Sequence, residues 1–270
     1  MQERVPMIEP DLLRAQPEPG VVVLTLNRPK ARNALSRPLI RALHDAIDGA
    51  CLDGTVSAIV IAANGPVFSA GHDLKEMTAH RSDPDGGRGF FQATMSECAA
   101  LMQAIVACPK PVIAAVQGMA TAAGCQLVAT CDLAIAAETV AFATPGVNIG
   151  LFCSTPMVAL SRNVPRKQAM EMLLLGDSMV AAKAEQFGLI NRAVSADQVM
   201  PVALDFARRI AAKSKATVAI GKQAFYRQIE QPLSTAYDYA AGVMVDNMMI
   251  ADAGEGICAF IEKRDPHWQD

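Results

Sequence analysis

Two short segments of this 270-residue chain carry residues able to meet a developing negative charge. Residues 68–77 read FSAGHDLKEM, and residues 119–132 read MATAAGCQLVATCD. Each sets small residues where a backbone N–H must come close to a ligand. Gly124 falls in the first turn of a predicted helix, where N–H groups lack intrahelical partners and the helix dipole favours negative charge. His72 follows a tight turn at Ala70-Gly71, after the apolar pair Val67-Phe68. Two such N–H donors aimed at one carbonyl oxygen form an oxyanion hole, which stabilises an enolate or a tetrahedral oxyanion.

Side chains near these segments add further chemistry. The His72 imidazole titrates near neutrality and could move a proton; alternatively, only its backbone N–H serves and the ring points away. Asp73 fits a capping role in the same turn. Residues 152–156 read Phe-Cys-Ser-Thr-Pro at the start of another predicted helix. A thiol there, Cys153, can have a lowered pKa and act as a nucleophile. Ser154 or Thr155 ahead of Pro156 equally fits N-capping. Gln126 and Asn148 could orient a water or a polar ligand group, or could satisfy buried backbone groups.

The elements that must position these residues follow from pattern. Residues 21–26, 58–62, 112–116, 133–137 and 140–143 are short, apolar and rich in Val, Ile and Ala, as buried strands are. Between them, 38–50 and 89–108 show helical spacing, with Leu39, Leu43 and Ile47 on one face. This alternation predicts an α/β architecture. Past residue 195 the strands stop. Ser195-Ala196-Asp197-Gln198 reads as a capping box opening a helix through Ala212, and 217–228, 234–250 and 254–263 follow as helices. The expected division is therefore a core at 1–195 that carries the site and a helical, oligomerisation region at 196–270. Residues 81–89, RSDPDGGRG, hold three glycines, a proline and four charges, and read as a mobile surface loop or a lid. His267 and Trp268 suit a packing role, and Asp246-Asn247 an interface or a solvated pair.

Composition narrows the partners. Net charge is −3 with no basic run, which argues against nucleic acid. No apolar stretch of membrane-spanning length lacks Gly or polar breaks, so no membrane is expected. The first twenty residues mix acidic residues with prolines and resemble neither a secretory signal nor a good transit peptide; the expected location is cytoplasmic. Seven cysteines, an odd number without a CxxC pair or a Cys/His cluster, predict reduced, mostly buried thiols and argue against a zinc site or a disulfide frame.

Five segments in order resemble the crotonase (enoyl-CoA hydratase/isomerase) superfamily over nearly the whole chain. They are Asn27-Arg28-Pro29 with Asn33-Ala34-Leu35, then FSAGHDLKEM, GMATAAGCQLVATCDLAIA, FATPGVNIGL and the terminal AFIEKR. The resemblance implies a spiral of ββα units with a C-terminal all-helical region, assembled as a homotrimer or a dimer of trimers. It implies an acyl-CoA thioester substrate, with no separate cofactor because coenzyme A enters with the substrate. The thioester oxygen would lie between the N–H groups of His72 and Gly124. Lys30, Arg32, Lys75, Lys263 and the backbone at Ala70 and Leu74 would contact the coenzyme. Hydratases of the family use two glutamates, whose positions here hold Gln126 and Gly146. Gln exchanges no proton near neutral pH and Gly has no side chain. The resemblance thus implies a nominal hydratase, a lyase, that has kept enolate stabilisation without the usual proton shuttle. The alternatives are a decarboxylase or other lyase acting on a carboxylated acyl-CoA, because the His72 turn also resembles that of methylmalonyl-CoA decarboxylases, and an acyl-CoA-binding protein without turnover.

Overall fold

The computed structural model describes residues 10–269. Part of the segment used above to judge a leader, residues 1–9, lies outside the described residues. Two sheets divide the strands. The larger runs β1 (Leu12–Glu18), β2 (Val21–Leu26), β3 (Ala58–Ala63), β5 (Val112–Val116), β7 (Leu133–Ala137) and β10 (Arg192–Val194). All its pairings are parallel except the hairpin of β1 with β2. The smaller sheet orders β4 (Val67–Ser69), β6 (Met119–Thr121), β8 (Ala141–Ala143) and β9 (Ser178–Val180), and its first three strands run parallel.

Helices cover both sheets: α1 (Arg37–Leu52), α2 (Leu74–Ala79), α3 (Arg88–Ala107), α4 (Ala123–Thr130), α5 (Pro156–Asn163), α6 (Arg166–Leu175), α7 (Ala181–Phe187) and α8 (Val199–Ala211). The α/β expectation therefore holds. The Ser36 hydroxyl accepts from the Leu39 N–H to start α1, and Leu39, Leu43 and Ile47 are fully buried on its inner face, as their spacing predicts. Central strands β3 and β5 are buried on both faces, which explains their unbroken apolar sequences. α8 lies on the large sheet against β3, β5 and β7. Beyond it, α9 (Lys215–Gln228), α10 (Leu233–Met249) and α11 (Ala251–Glu262) form the C-terminal helical region. Trp268 closes that region, donating its indole N–H to the Ala212 carbonyl at 2.9 Å and packing on Gly256, so its role is packing.

Two expectations fail locally. Cys51 and Cys108 are joined as a disulfide, with Cα atoms 5.7 Å apart. Packing of α1 against α3 brings their ends together across 57 residues, a proximity that no sequence spacing reveals. The remaining cysteines are free, all buried except Cys258. The capping box does not form either: the Ser195 side chain caps nothing, and the Gln198 amide turns to Asp197. A 3-10 turn at Ala196–Gln198 uses the Ser195 carbonyl instead.

Ile61, fully buried at the centre of β3, tests the packing. Ile61→Ala is expected to cost about 2–5 kcal/mol, seen as a lower denaturant midpoint with an unchanged slope.

Candidate active site

The parallel strands β4, β6 and β8 end side by side, with Ser69 paired to Ala120 and Thr121 paired to Ala143. Ligands in open parallel sheets bind beyond such carboxyl ends. Three short segments leave there: Gly71-His72, Ala122-Ala123-Gly124 and Thr144. Gly71 adopts φ +86°, and a Cβ on it would stand 2.9 Å from the Ala122 methyl and 3.2 Å from the Ala123 nitrogen. Only glycine fits. A Cβ on Gly124 would fall on the Ser69 carbonyl oxygen, so glycine is what lets α4 approach β4.

Ala122 itself has φ +50°, uncommon for a residue with a side chain. It is held by its N–H donating to the Ala143 carbonyl at 2.8 Å and by its own carbonyl accepting from the Gln126 N–H at 3.0 Å. The bend starts α4 without a side-chain cap, and the N–H groups of Ala123, Gly124 and Cys125 find no acceptor among the described residues. The His72 N–H is in the same condition. Leu35 donates to the Gly71 carbonyl and accepts from the Asp73 N–H, which leaves the intervening donor facing away from Leu35.

Asn33 and Arg28 hold this turn, and neither was singled out from sequence beyond its motif. Asn33, fully buried at φ +50°, donates its amide to the Asn64 and Val67 carbonyls and accepts from the Arg28 N–H. Its carbonyl accepts from the Ser69 hydroxyl at 2.9 Å. Arg28 donates to the Ala34 carbonyl and pairs with Asp73 at 3.1 Å. Asp73 in turn accepts from the Lys75 and Glu76 N–H groups, the capping role expected of it. Flanked by Arg32 and Ala34, Asn33 carries no mark of its burial in the sequence beyond that motif.

The side chains depart from expectation. The His72 ring does not keep its ordinary pKa: its Nε2 is buried without a partner among the described residues, and burial pulls its pKa down to about 4. Gln126, 5% exposed, leaves its Oε1 unpartnered, as does the fully buried Thr144 hydroxyl. Thr144 went unnoticed in the sequence. Gly146 lies in a 3-10 turn (Pro145–Ile149), where a Cβ would stand 2.8 Å from the Leu151 carbonyl oxygen and 2.9 Å from the Cys153 sulfur. Cys153 thus fills the space beside Gly146. Burial pushes its thiol upward, only partly offset by the Gly146 N–H, which works against the lowered pKa an activated nucleophile needs. The expected hydroxyl cap of α5 is also absent: Thr155 makes no capping bond, and Ser154 donates to the Phe152 carbonyl. The Asn148 amide packs on Gly176 at the end of α6.

Around the turn, the Arg32 carbonyl accepts from the Ala70 N–H at 3.0 Å, which brings the exposed Lys30 and Arg32 beside the strand end. Leu74 and Lys75 are exposed on α2 just past His72. Lys263 caps α11 on the helical region, which packs on α9 and α10. Asn247 donates to the Thr217 hydroxyl, linking α10 to α9; the His267 N–H donates to Glu255. The glycine-rich 81–89 loop carries its own hydrogen bonds and a ring contact beside it. Asp85 accepts from Gly87 and Gly89, and His80 stacks on Phe90 with centroids 3.7 Å apart.

The family model for enoyl-CoA hydratase/isomerase matches residues 16–270. The chain is similar to the rat mitochondrial enoyl-CoA hydratase domain-containing protein 3, 46% identical over 97% of this chain and 86% of that protein. A crystal structure of enoyl-CoA hydratase from Mycobacterium smegmatis superposes with TM-score 0.92 at 50% identity, covering 97% of this chain and all of that one. The crystal structure of the human domain-containing protein 3 gives TM-score 0.91 at 43% identity over 96% of this chain and all of that one. The crotonase fold, with two mixed sheets and a C-terminal helical region, is thereby established. The expected cytoplasmic location is overturned, because the rat relative and its mouse, human, frog and zebrafish counterparts are mitochondrial proteins. Thiol count, net charge and mixed composition do not distinguish these compartments.

The His72 ring supplies a check on this geometry. Its folded pKa lies below the ordinary value of 6.5, so the unfolded chain binds the extra proton first. The ring's contribution to stability is therefore intact above about pH 6.5 and is lost as pH falls toward 4. An NMR titration of the ring should give a midpoint near 4. A midpoint above 6 would mean that the ring is solvated.

Proposed function

The chain belongs to the enoyl-CoA hydratase/isomerase family, and on that footing we propose that it binds an acyl-CoA thioester and stabilises the thioester enolate with backbone donors. The carrying observation is the set of unpartnered N–H groups at His72 and in the first turn of α4. Ala123 stands against the Gly71 turn, so its N–H, with that of Gly124 next to it, completes the hole with His72. Such donors, fixed before the reaction, need no rearrangement as negative charge develops on the oxygen. Lys30, Arg32 and Lys75 hold the phosphate end of coenzyme A, Ala70 and Leu74 offer backbone to its adenine or pantetheine, and Lys263 approaches from the helical region. Exposed apolar side chains on α10 and α11, among them Met249 and Phe260, form a face that a homotrimer or a pair of trimers covers.

Proton transfer is where the chain departs from hydratase chemistry. Gln126 and Gly146 stand in the places of the two glutamates. The nearby groups are a neutral imidazole and a protonated thiol at pH 7. A positioned acid or base contributes about 10²–10⁴-fold, so hydration of enoyl thioesters is slow while enolate stabilisation survives. A second reading, cleavage of a carboxylated acyl-CoA, asks for no such acid or base. Loss of carbon dioxide forms the enolate from the breaking C–C bond and needs no base to begin.

Hydration of crotonyl-CoA at high protein concentration tests this. Gln126→Glu, whose side chain needs no extra room, is expected to raise the rate at least about tenfold. Gly146→Glu should fail to help because Leu151 and Cys153 block it. A wild-type turnover within the common enzyme range of about 1–10³ s⁻¹ would refute the reading, and failure to bind any acyl-CoA would remove it altogether. Carbon dioxide release from a malonyl-type thioester decides the second reading.

A further inference from the structure

Beyond the C-terminal end of α4 the chain places a carboxylate where the helix dipole disfavours one. Asp132 follows the C-cap residue Cys131, and its side chain is only 14% exposed. Its Oδ2 accepts from the Val112 N–H at 2.7 Å and from Lys222 Nζ at 2.6 Å. Its Oδ1 accepts from the Tyr226 hydroxyl at 2.9 Å. Lys222 gives its other two protons to the Ile105 and Lys110 carbonyls, at 2.9 and 3.0 Å, so all three ammonium donors are used. Lys222 and Tyr226 are four residues apart on α9, hence on one face. One face of the helical region therefore grips the Asp132 carboxylate together with the Ile105 and Lys110 carbonyls of the core.

That grip bears on the other end of α4. The helix has eight residues, all buried, and is about 12 Å long. Its late carbonyls are bonded: Gln126 by the Thr130 hydroxyl, Leu127 by the Cys131 N–H and Ala129 by the Asn163 amide. A segment held this way shifts as a rod. Its tail is set by Asp132, and its head carries the unpartnered donors. Without the ammonium, the Asp132 carboxylate would repel the carbonyl end of α4 and seek water, dragging the rod with it.

We infer that Lys222 and Tyr226 are positioning residues for the oxyanion hole: by holding Asp132, α9 fixes where the first-turn N–H groups of α4 stand relative to that of His72. This rests on the oxyanion reading above and adds to it the requirement that the helical region be docked.

The test is titration calorimetry on the full chain with butyryl-CoA and with S-butyl-CoA, a thioether that lacks the carbonyl oxygen. Lys222→Met alone would strand a buried carboxylate and threaten folding. The variants are therefore Tyr226→Phe and the neutral pair Lys222→Met/Asp132→Asn. Wild type is expected to prefer the thioester. In the variants, thioether affinity should stay within about twofold while the thioester preference falls at least about fivefold, since small misplacements of donors weigh heavily on such sites. A wild-type preference retained in both variants, even with a lowered melting temperature, overturns the inference and leaves a purely structural anchor. Parallel weakening of both ligands overturns it as well. A wild type that does not distinguish the two ligands overturns the oxyanion reading itself, and this inference with it.

Discussion

Everything at the site depends on how closely the β4 turn approaches the start of α4. Two glycines make that approach possible from opposite sides, Gly71 against Ala122 and Gly124 against the Ser69 carbonyl. A single methyl at either place would force backbone from backbone. The contact holds Ala122 in a conformation that costs energy for a residue with a side chain. The cost is offset by the bonds that over-determine the bend and by a core in which every residue of α4 is buried. What the strain yields is direction, because four N–H groups are left without acceptors among the described residues beside one strand end.

Around that contact the protein builds two rigid supports of different kinds. On the β4 side the support is local and polar. Asn33 ties four backbone or side-chain partners together, and Arg28 bridges the loop to Asp73. On the α4 side it is remote, reaching through Asp132 to the helical region. Each support satisfies a buried polar group completely, which is the condition for such groups to rigidify rather than weaken an interior.

Much of this was legible in the sequence, and what was not has physical reasons. Strands β2, β3, β5 and β7 announce themselves because burial on both faces demands unbroken apolar runs. β1, with Arg14, Gln16 and Pro17 in an antiparallel edge position, carries no such pattern. β4, β6, β9 and β10 are three residues long, too short for periodicity to speak. Gly71 and Gly124 could be read because close approach needs a residue type. The state of His72 and Cys153 could not, because each depends on what distant segments pack over it. The Cys51–Cys108 bond and the failed capping box likewise follow from tertiary neighbours.

Cys153 occupies the room beside Gly146, with the Leu151 carbonyl closing the other side. The consequence is a mutual dependence among three positions. Any side chain at residue 146 would need a smaller neighbour at 153 and a rerouted backbone at 151, so these positions can change only together.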